Sequence, residues 1–334
     1  MGKSRGSVYL MGIGGVGMGS FAGLLKRAGF QVRGSDSGVY PPISHVLERL
    51  KIEVKCPYRA ENLYPEPDLV IVGNVIRQDN PEAVAVRERG LRNMSFPQAL
   101  SELFLTRKAP MVVAGTHGKT TTSSLLAHIL CRSGRNPGFL IGCVPRNFDE
   151  GFAAGSSRSG TFFVVEGDEY DTAYFDKTPK FLHYRPKHLL CTSLEFDHAD
   201  VYDSVEQIEE RFAEVMGLVP DTGGIVLCSD APRLMTAREK AKIAAPVVTY
   251  GATGTYRAKL LEEGRTGQRF EVHRAGALVG VCSLKQAGAH NRSNALGAFA
   301  MLDAVQVPAA EIIRGMASFD GVVRRMDVVG EING

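Results

Sequence analysis

Six consecutive residues, Gly115-Thr116-His117-Gly118-Lys119-Thr120, carry the strongest chemical signal in the chain. They follow the apolar stretch Met111–Ala114 and lead, through Thr121, into a helical pattern. Backbone N–H groups in such a loop cradle phosphate oxygens, the lysine neutralises β- and γ-phosphates, and the threonine hydroxyl ligates Mg²⁺. The implied cofactors are ATP and Mg²⁺. The loop departs from G-x-x-x-x-G-K-[ST], because Val113 stands where the first glycine would be. His117 reads as a loop residue, not a catalytic base.

Three further groups invite a chemical reading. Gly12-Ile13-Gly14-Gly15-Val16-Gly17 fits G-x-G-x-x-G between a strand and a helix, with Asp36 about 20 residues on, where an acid commonly meets a ribose hydroxyl. From these residues alone the choice is open between NAD or FAD, another diphosphate, and a turn needed only for packing. Glu166-Gly167-Asp168-Glu169-Tyr170-Asp171 ends an apolar strand, and Glu195-Phe196-Asp197-His198-Ala199-Asp200 ends another. Crowded carboxylates repel unless a cation sits among them, so both runs point to a divalent metal, with His198 as a nitrogen ligand. Gly288-Ala289-His290-Asn291-Arg292-Ser293-Asn294 opens a helix. Asn291 or Ser293 there is either an N-cap or part of a polar edge for adenine.

These groups must be positioned by short buried strands alternating with helices. Ser7–Gly12, Gln31–Gly34 and Leu69–Gly73 read as strands around a helix at Met18–Ala28. Met111–Ala114, Thr161–Glu166, Leu189–Thr192 and Gly224–Cys228 read as a second set. Apolar runs without alternation imply parallel sheets covered on both faces. Between Tyr256 and Leu284 the pattern alternates around glycine turns, as an antiparallel meander does. Helices are expected at Asn294–Ala304 and Ala309–Ser318. The fold class is therefore α/β. A Rossmann-like parallel-sheet domain is expected over 1–107, and a P-loop ATPase-like central α/β domain with a small antiparallel meander over 108–328.

Bulk properties exclude several functions. The chain has 334 residues, 44% hydrophobic and 22% charged, enough for two buried cores. A net charge of +3 without charge blocks argues against nucleic acid as a partner. The six cysteines are scattered and include no C-x-x-C pair, which suits reduced thiols in a cytoplasmic protein. The apolar stretch after Lys3 and Arg5 is broken by glycines, so it makes a poor secretory signal, and no run is long enough to span a membrane.

Taken together, Gly-Thr-His-Gly-Lys-Thr-Thr, Glu-Gly-Asp-Glu-Tyr-Asp, Asp-His-Ala-Asp and Gly-Ala-His-Asn-Arg-Ser-Asn-Ala resemble the Mur ligases of peptidoglycan assembly, across the whole chain. Gly34–Asp36 with Val39–Pro42, Pro137–Phe139, Val144–Phe148, Ala173–Lys177 and Leu194–Val201 resemble the branch that joins UDP-N-acetylmuramate to L-Ala-γ-D-Glu-meso-diaminopimelate during peptidoglycan recycling. The alternatives are the branch that adds L-alanine and a non-catalytic UDP-sugar or nucleotide sensor.

The resemblance implies an ATP-dependent carboxylate–amine ligase working through an acyl phosphate. It places Gly12, Gly14, Gly15, Gly17, Met18, Ser35, Asp36 and Asn74 on the UDP-sugar, in place of NAD. Gly115, Thr116, His117, Gly118, Lys119, Thr120 and Thr121 would hold ATP phosphates, with Arg325 facing them and His290, Asn291 and Asn294 at the adenine. Thr120, Glu166 and His198 would surround Mg²⁺, and Lys119, Glu166 and His198 would be catalytic. The substrates implied are UDP-N-acetylmuramate and a peptide amine. Some relatives carry a carbamylated lysine after the Asp-His motif, but Glu209–Glu214 contains no lysine, as in the alanine-adding branch. The family also has a third, C-terminal domain, expected to begin at 329–334.

Overall fold

A computed structural model describes residues 5–196 and 202–322. The first sheet holds β1 (Ser7–Met11), β2 (Gln31–Ser35), β3 (Glu53–Lys55), β4 (Leu69–Val72) and β5 (Asn93–Ser95), in the order β3-β2-β1-β4-β5. All its pairings are parallel, with Val8 opposite both Val32 and Leu69. Its helices are α1 (Val16–Arg27), α2 (Ile43–Arg49), α3 (Pro81–Glu88) and α4 (Phe96–Leu100). Because β1 is followed in space by β2 on one side and β4 on the other, the loop after β1 opens at the switch point of the sheet, where α/β folds bind ligands.

The second sheet begins with β6 (Ala109–Ala114), followed by α5 (Lys119–Arg132), β7 (Gly138–Leu140), β8 (Phe152–Ala153) and β9 (Phe162–Gly167). A hairpin of β10 (Asp171–Ala173) and β11 (Asp176–Pro179) leads into α6 (Lys180–His183). Then come β12 (His188–Cys191), α7 (Val205–Gly217), β13 (Gly224–Cys228), α8 (Pro232–Lys240) and β14 (Val247–Tyr250). Last are β15 (Tyr256–Gly264), β16 (Gly267–Arg274), β17 (Ala277–Leu284), α9 (Ala289–Ala304) and α10 (Ala309–Ala317). The sheet order is β17-β16-β15-β14-β13-β12-β6-β9-β7-β8, with β6 fully buried between β12 and β9. The expected meander forms, with β15–β17 antiparallel. It joins the parallel strands through a single pairing, Tyr250 opposite Tyr256.

The two sheets share a packed junction. The Cβ of any other residue at Gly23 of α1 would stand 2.2 Å from the Phe152 ring, so glycine lets α1 lie against β8. Phe21 stacks edge-on against Phe96 and Phe104, and Phe104 in turn meets Phe163 of β9. Glu150 receives both Arg27 and Arg49 from the first sheet's helices. No helix among the described residues is long and apolar enough to cross a membrane.

Candidate active site

The loop between β6 and α5 needs glycine twice. Gly115 has φ +139°, and a Cβ there would lie 2.2 Å from Thr192 Oγ1. Gly118 has φ +82° and would place a Cβ 2.4 Å from Asn294 Oδ1, so the start of α9 packs against the start of α5. The loop is laced to the end of β12: Thr192 Oγ1 donates to the carbonyls of Ala114 and His117, and His117 N donates to Ser193 Oγ at 2.9 Å. Glu195 N donates to Thr116 Oγ1 at 2.9 Å. Thr192 and Ser193 were missed by sequence reasoning, although two hydroxyls directly after a buried strand were the available signal. His117 is exposed, with Nε2 3.6 Å from Glu195. Thr121 follows in the first turn of α5.

Lys119 Nζ donates to Gly115 O at 2.5 Å and to Glu169 Oε2 at 3.2 Å. Glu169 is 2% exposed, and burial raises its carboxyl above the usual range despite the opposing lysine charge. Thr120 Oγ1 donates to Glu166 Oε2 at 3.0 Å, and Gly142 N donates to Glu166 Oε1 at 2.7 Å. Desolvation, then the charge of Asp168, holds the Glu166 carboxyl above its ordinary value. Desolvation would also raise Asp168, but Lys180 and then Lys119 outweigh it and hold that carboxyl low.

The acidic run is therefore balanced differently from the sequence expectation. Asp168 pairs with Lys180 at 3.0 Å, Glu169 with Lys119, and Asp171 with Lys177 at 2.8 Å. Three lysines offset the repulsion that had suggested a metal amid the run. Among the described residues, no group of three or more His, Cys, Asp or Glu side chains gathers as a metal site. What remains fits one hard cation at its edge: a hydroxyl and a carboxylate, Thr120 and Glu166, within 3.0 Å of each other beside a lysine. His198 and Arg325, like Asp197, Asp200 and Arg324, lie outside the described residues. Glu209, in the stretch that contains no lysine, is on α7 and is taken up by Arg233 and Lys240 of α8.

The first glycine loop is braced from β2. Gly12 has φ +82°, and the N–H groups of Gly12 and Ile13 both donate to Ser35 O. Gly14 N donates to Asp36 Oδ2, and Ser37 N to Asp36 Oδ1, each at 2.7 Å. Asp36 lines the cleft, with Oδ2 bonded to the first glycine loop and Oδ1 to the residue after it. Ser35 departs from expectation. It is fully buried, and its hydroxyl donates to Glu82, so it supports the loop from beneath and offers no side chain to the cleft. Glu82, fully buried, also accepts from Tyr9 and from Asn62.

The first glycine loop and the start of α5 border one cavity of about 740 Å³. Gly12, Gly14, Gly15, Gly17, Met18, Asp36 and Asn74 line its first side, and Thr120 and Glu166 its second. His290, Asn291 and Asn294 occupy the first turns of α9. His290 is exposed, and Asn291 Nδ2 donates to Ala287 O at 2.8 Å. The expected N-cap role for Asn291 or Ser293 does not occur, because the helix starts earlier and Gly288, at φ +97°, precedes it.

A parallel sheet ending in a short Gly-Lys-Thr loop, with a second glycine loop lining the same cleft, has the architecture of a nucleotide-binding α/β protein. Residues 7–108 match the Mur ligase family, catalytic domain, and residues 113–302 match the Mur ligase middle domain. The chain belongs to the Mur ligase family, whose members are ATP-dependent amide ligases. It is 39% identical over 327 residues to the UDP-N-acetylmuramate–L-alanyl-γ-D-glutamyl-meso-2,6-diaminoheptandioate ligase of Escherichia coli, covering 98% of this chain and 70% of that one. The UDP-N-acetylmuramate–L-alanine ligase of Solidesulfovibrio magneticus is 34% identical over 98% of this chain and 68% of its own. The crystal structure of the UDP-N-acetylmuramate:L-alanyl-γ-D-glutamyl-meso-diaminopimelate ligase from Neisseria meningitides superposes with a TM-score of 0.89 at 37% identity, over 96% of this chain and all of that one.

Proposed function

We propose that the chain is the UDP-sugar- and ATP-binding portion of a cytoplasmic ligase that joins UDP-N-acetylmuramate to L-Ala-γ-D-Glu-meso-diaminopimelate through an acyl phosphate. The observation that supports this most is a single 740 Å³ cavity lined both by the first glycine loop and by Thr120 and Glu166. In this reading residues 1–107 hold the UDP-sugar and residues 108–328 hold ATP.

The chain's own residues divide the work. The backbone after β1 receives the sugar diphosphate at the N-terminus of α1, where unpaired N–H groups favour anions. Lys119 exchanges Gly115 O and Glu169 for ATP phosphates, and Asn294, wedged against Gly118, fixes the loop beneath them. Thr120 and Glu166 hold Mg²⁺, which screens the repulsion between the muramyl carboxylate and the γ-phosphate when bound. A carboxylate is a poor electrophile until its oxygen becomes a leaving group, which is why phosphorylation precedes attack by the peptide amine. Preorganised charge of this kind is commonly the largest contribution to rate.

The test is calorimetry of this chain with UDP-N-acetylmuramate and, separately, with Mg²⁺ and a non-hydrolysable ATP analogue. Micromolar binding of both is expected, and binding of neither refutes the proposal. Amide formation with alanine but not with the tripeptide would move the chain to the alanine-adding branch.

A further inference from the structure

The described residues lining the shared cleft bring carboxylates from Asp36, Glu166 and Asp168, but only one lysine or arginine, Lys180. Lys180 is the first residue of α6, reached through the β10–β11 hairpin. Its side chain is 10% exposed. One N–H of the ammonium reaches Asp168 Oδ2 at 3.0 Å, and the Tyr170 ring lies beneath it at 4.0 Å. Burying a lysine this deeply costs rotamer entropy and hydration, and a structural role alone would be met by the partner it already has. An ammonium has three donors, and Asp168 takes one of them.

The hairpin that delivers Lys180 is itself anchored. Thr172 Oγ1 donates to Asp176 O at 2.9 Å within it. From the first sheet's helices, Gln98 Nε2 donates to Asp176 Oδ2 at 3.1 Å, and Arg87 donates to the Tyr174 hydroxyl at 3.3 Å. Lys180 N is bonded to Tyr170 O. The ammonium is therefore fixed relative to both walls of the cleft, which is the condition for it to act as preorganised charge.

We propose that Lys180 is the specificity-determining contact for the free carboxylate of the muramyl group, held in place by Asp168 and by the docked β10–β11 hairpin. The inference rests on the UDP-sugar reading above and deepens it. The sugar diphosphate has its own backbone donors at the first glycine loop. The reacting carboxylate must instead reach the end of the cleft formed by Thr120 and Glu166, and Lys180 lines the same cleft, paired with Asp168 two residues from Glu166. There the carboxylate approaches a carboxylate side chain and the triphosphate, so without a fixed cation its approach is opposed by like charge.

UDP-N-acetylmuramate and UDP-N-acetylglucosamine differ by the lactyl group that bears this carboxylate, so the pair isolates it. Calorimetry with both ligands on the unaltered chain, Lys180→Met and Lys180→Arg tests the assignment. The unaltered chain is expected to prefer the muramate. In Lys180→Met the muramate should weaken by about tenfold or more while UDP-N-acetylglucosamine changes little, and Lys180→Arg should keep most of the preference. Equal weakening of both ligands, an undiminished preference for the muramate, or no preference in the unaltered chain overturns the proposal. Failure of the unaltered chain to bind either UDP-sugar sinks the underlying UDP-sugar reading instead. Should Lys180→Met unfold because it leaves Asp168 unpaired, Lys180→Met with Asp168→Asn removes the orphan charge and answers the same question.

Discussion

The packing of Gly118 against Asn294 can be tested quantitatively. Gly118 combines a left-handed φ of +82° with a forward contact in which a Cβ would stand 2.4 Å from Asn294 Oδ1. Gly134, at the other end of α5, has φ +73° with nothing within 4 Å of a Cβ. Alanine at Gly134 therefore carries only the backbone penalty, about 1–2 kcal/mol. Alanine at Gly118 carries that penalty plus overpacking of about 1–3 kcal/mol, for a total near 3 kcal/mol. Asn294→Ala in the Gly118→Ala background removes the blocking oxygen and should recover about 1 kcal/mol or more, while leaving the backbone strain. Urea unfolding followed by far-UV circular dichroism and tyrosine fluorescence reads all four proteins, since the chain contains no tryptophan. If Gly118→Ala costs no more than Gly134→Ala, or Asn294→Ala gives nothing back, the contact between α9 and the phosphate loop is not what holds the loop.

Three further outcomes are expected. Thr120→Val keeps the side chain's shape but removes the hydroxyl that bonds Glu166, so Mg²⁺ should no longer tighten binding of an ATP analogue, a loss of about tenfold, while metal-free nucleotide binding is unchanged. A titration with and without Mg²⁺ checks this, and preserved metal dependence counts against Thr120. Glu169→Gln removes the buried charge that holds Lys119, so a non-hydrolysable ATP analogue should bind a few-fold more tightly, even though unpairing the lysine lowers the melting temperature. Weaker binding would show that Glu169 positions Lys119 for ATP instead of competing with it. His188, 9% exposed with Nδ1 buried and unbonded, has its pKa pushed down from 6.5 to about 4, first by burial and then by Lys187. Because the folded form resists protonation, its contribution is whole above about 6.5 and is lost as pH falls toward 4, by about 3 kcal/mol. Chemical denaturation across that window, beside His188→Phe, which should flatten the slope, measures it.

Much of this fold was visible in the residue order because its central strands are buried on both faces. Ser7–Met11, Leu69–Val72, Ala109–Ala114 and Gly224–Cys228 are apolar nearly throughout, and such runs read as parallel strands without knowledge of their partners. Short, polar strands were not legible. Glu53–Lys55, Asn93–Ser95 and the β10–β11 hairpin have too few apolar positions to show a period, and pairing creates them. Apolar spacing predicts the start of α9 at Asn294, five residues beyond its start at Ala289, because His290–Ser293 form a polar first turn with no apolar spacing. Within the site, the glycine loops announced themselves through backbone demands that few other residues meet. The pairing of the acids did not. Whether Asp168 meets a metal or Lys180, twelve residues away, depends on where the hairpin folds, and spacing along the chain carries no record of that.

The same pairings bear on how the site can be loaded. The charged groups at this end of the cleft, and Lys119 beside it, have partners of the chain's own: Lys119 has Glu169 and Gly115 O, Glu166 has Thr120 and Gly142 N, and Lys180 has Asp168. The charges around the cleft are therefore balanced by the chain itself. Loading the cleft is an exchange in which each ligand group displaces a weaker internal one, so the net gain is smaller than the contacts in the loaded state suggest. A single ligand that takes Lys119 alone withdraws positive charge from Glu169 at 2% exposure, whereas one that also brings a cation toward Glu166 restores positive charge nearby. Nucleotide and metal should therefore favour each other's binding on this chain, through Lys119, Glu166 and Glu169 acting as one connected set of charges.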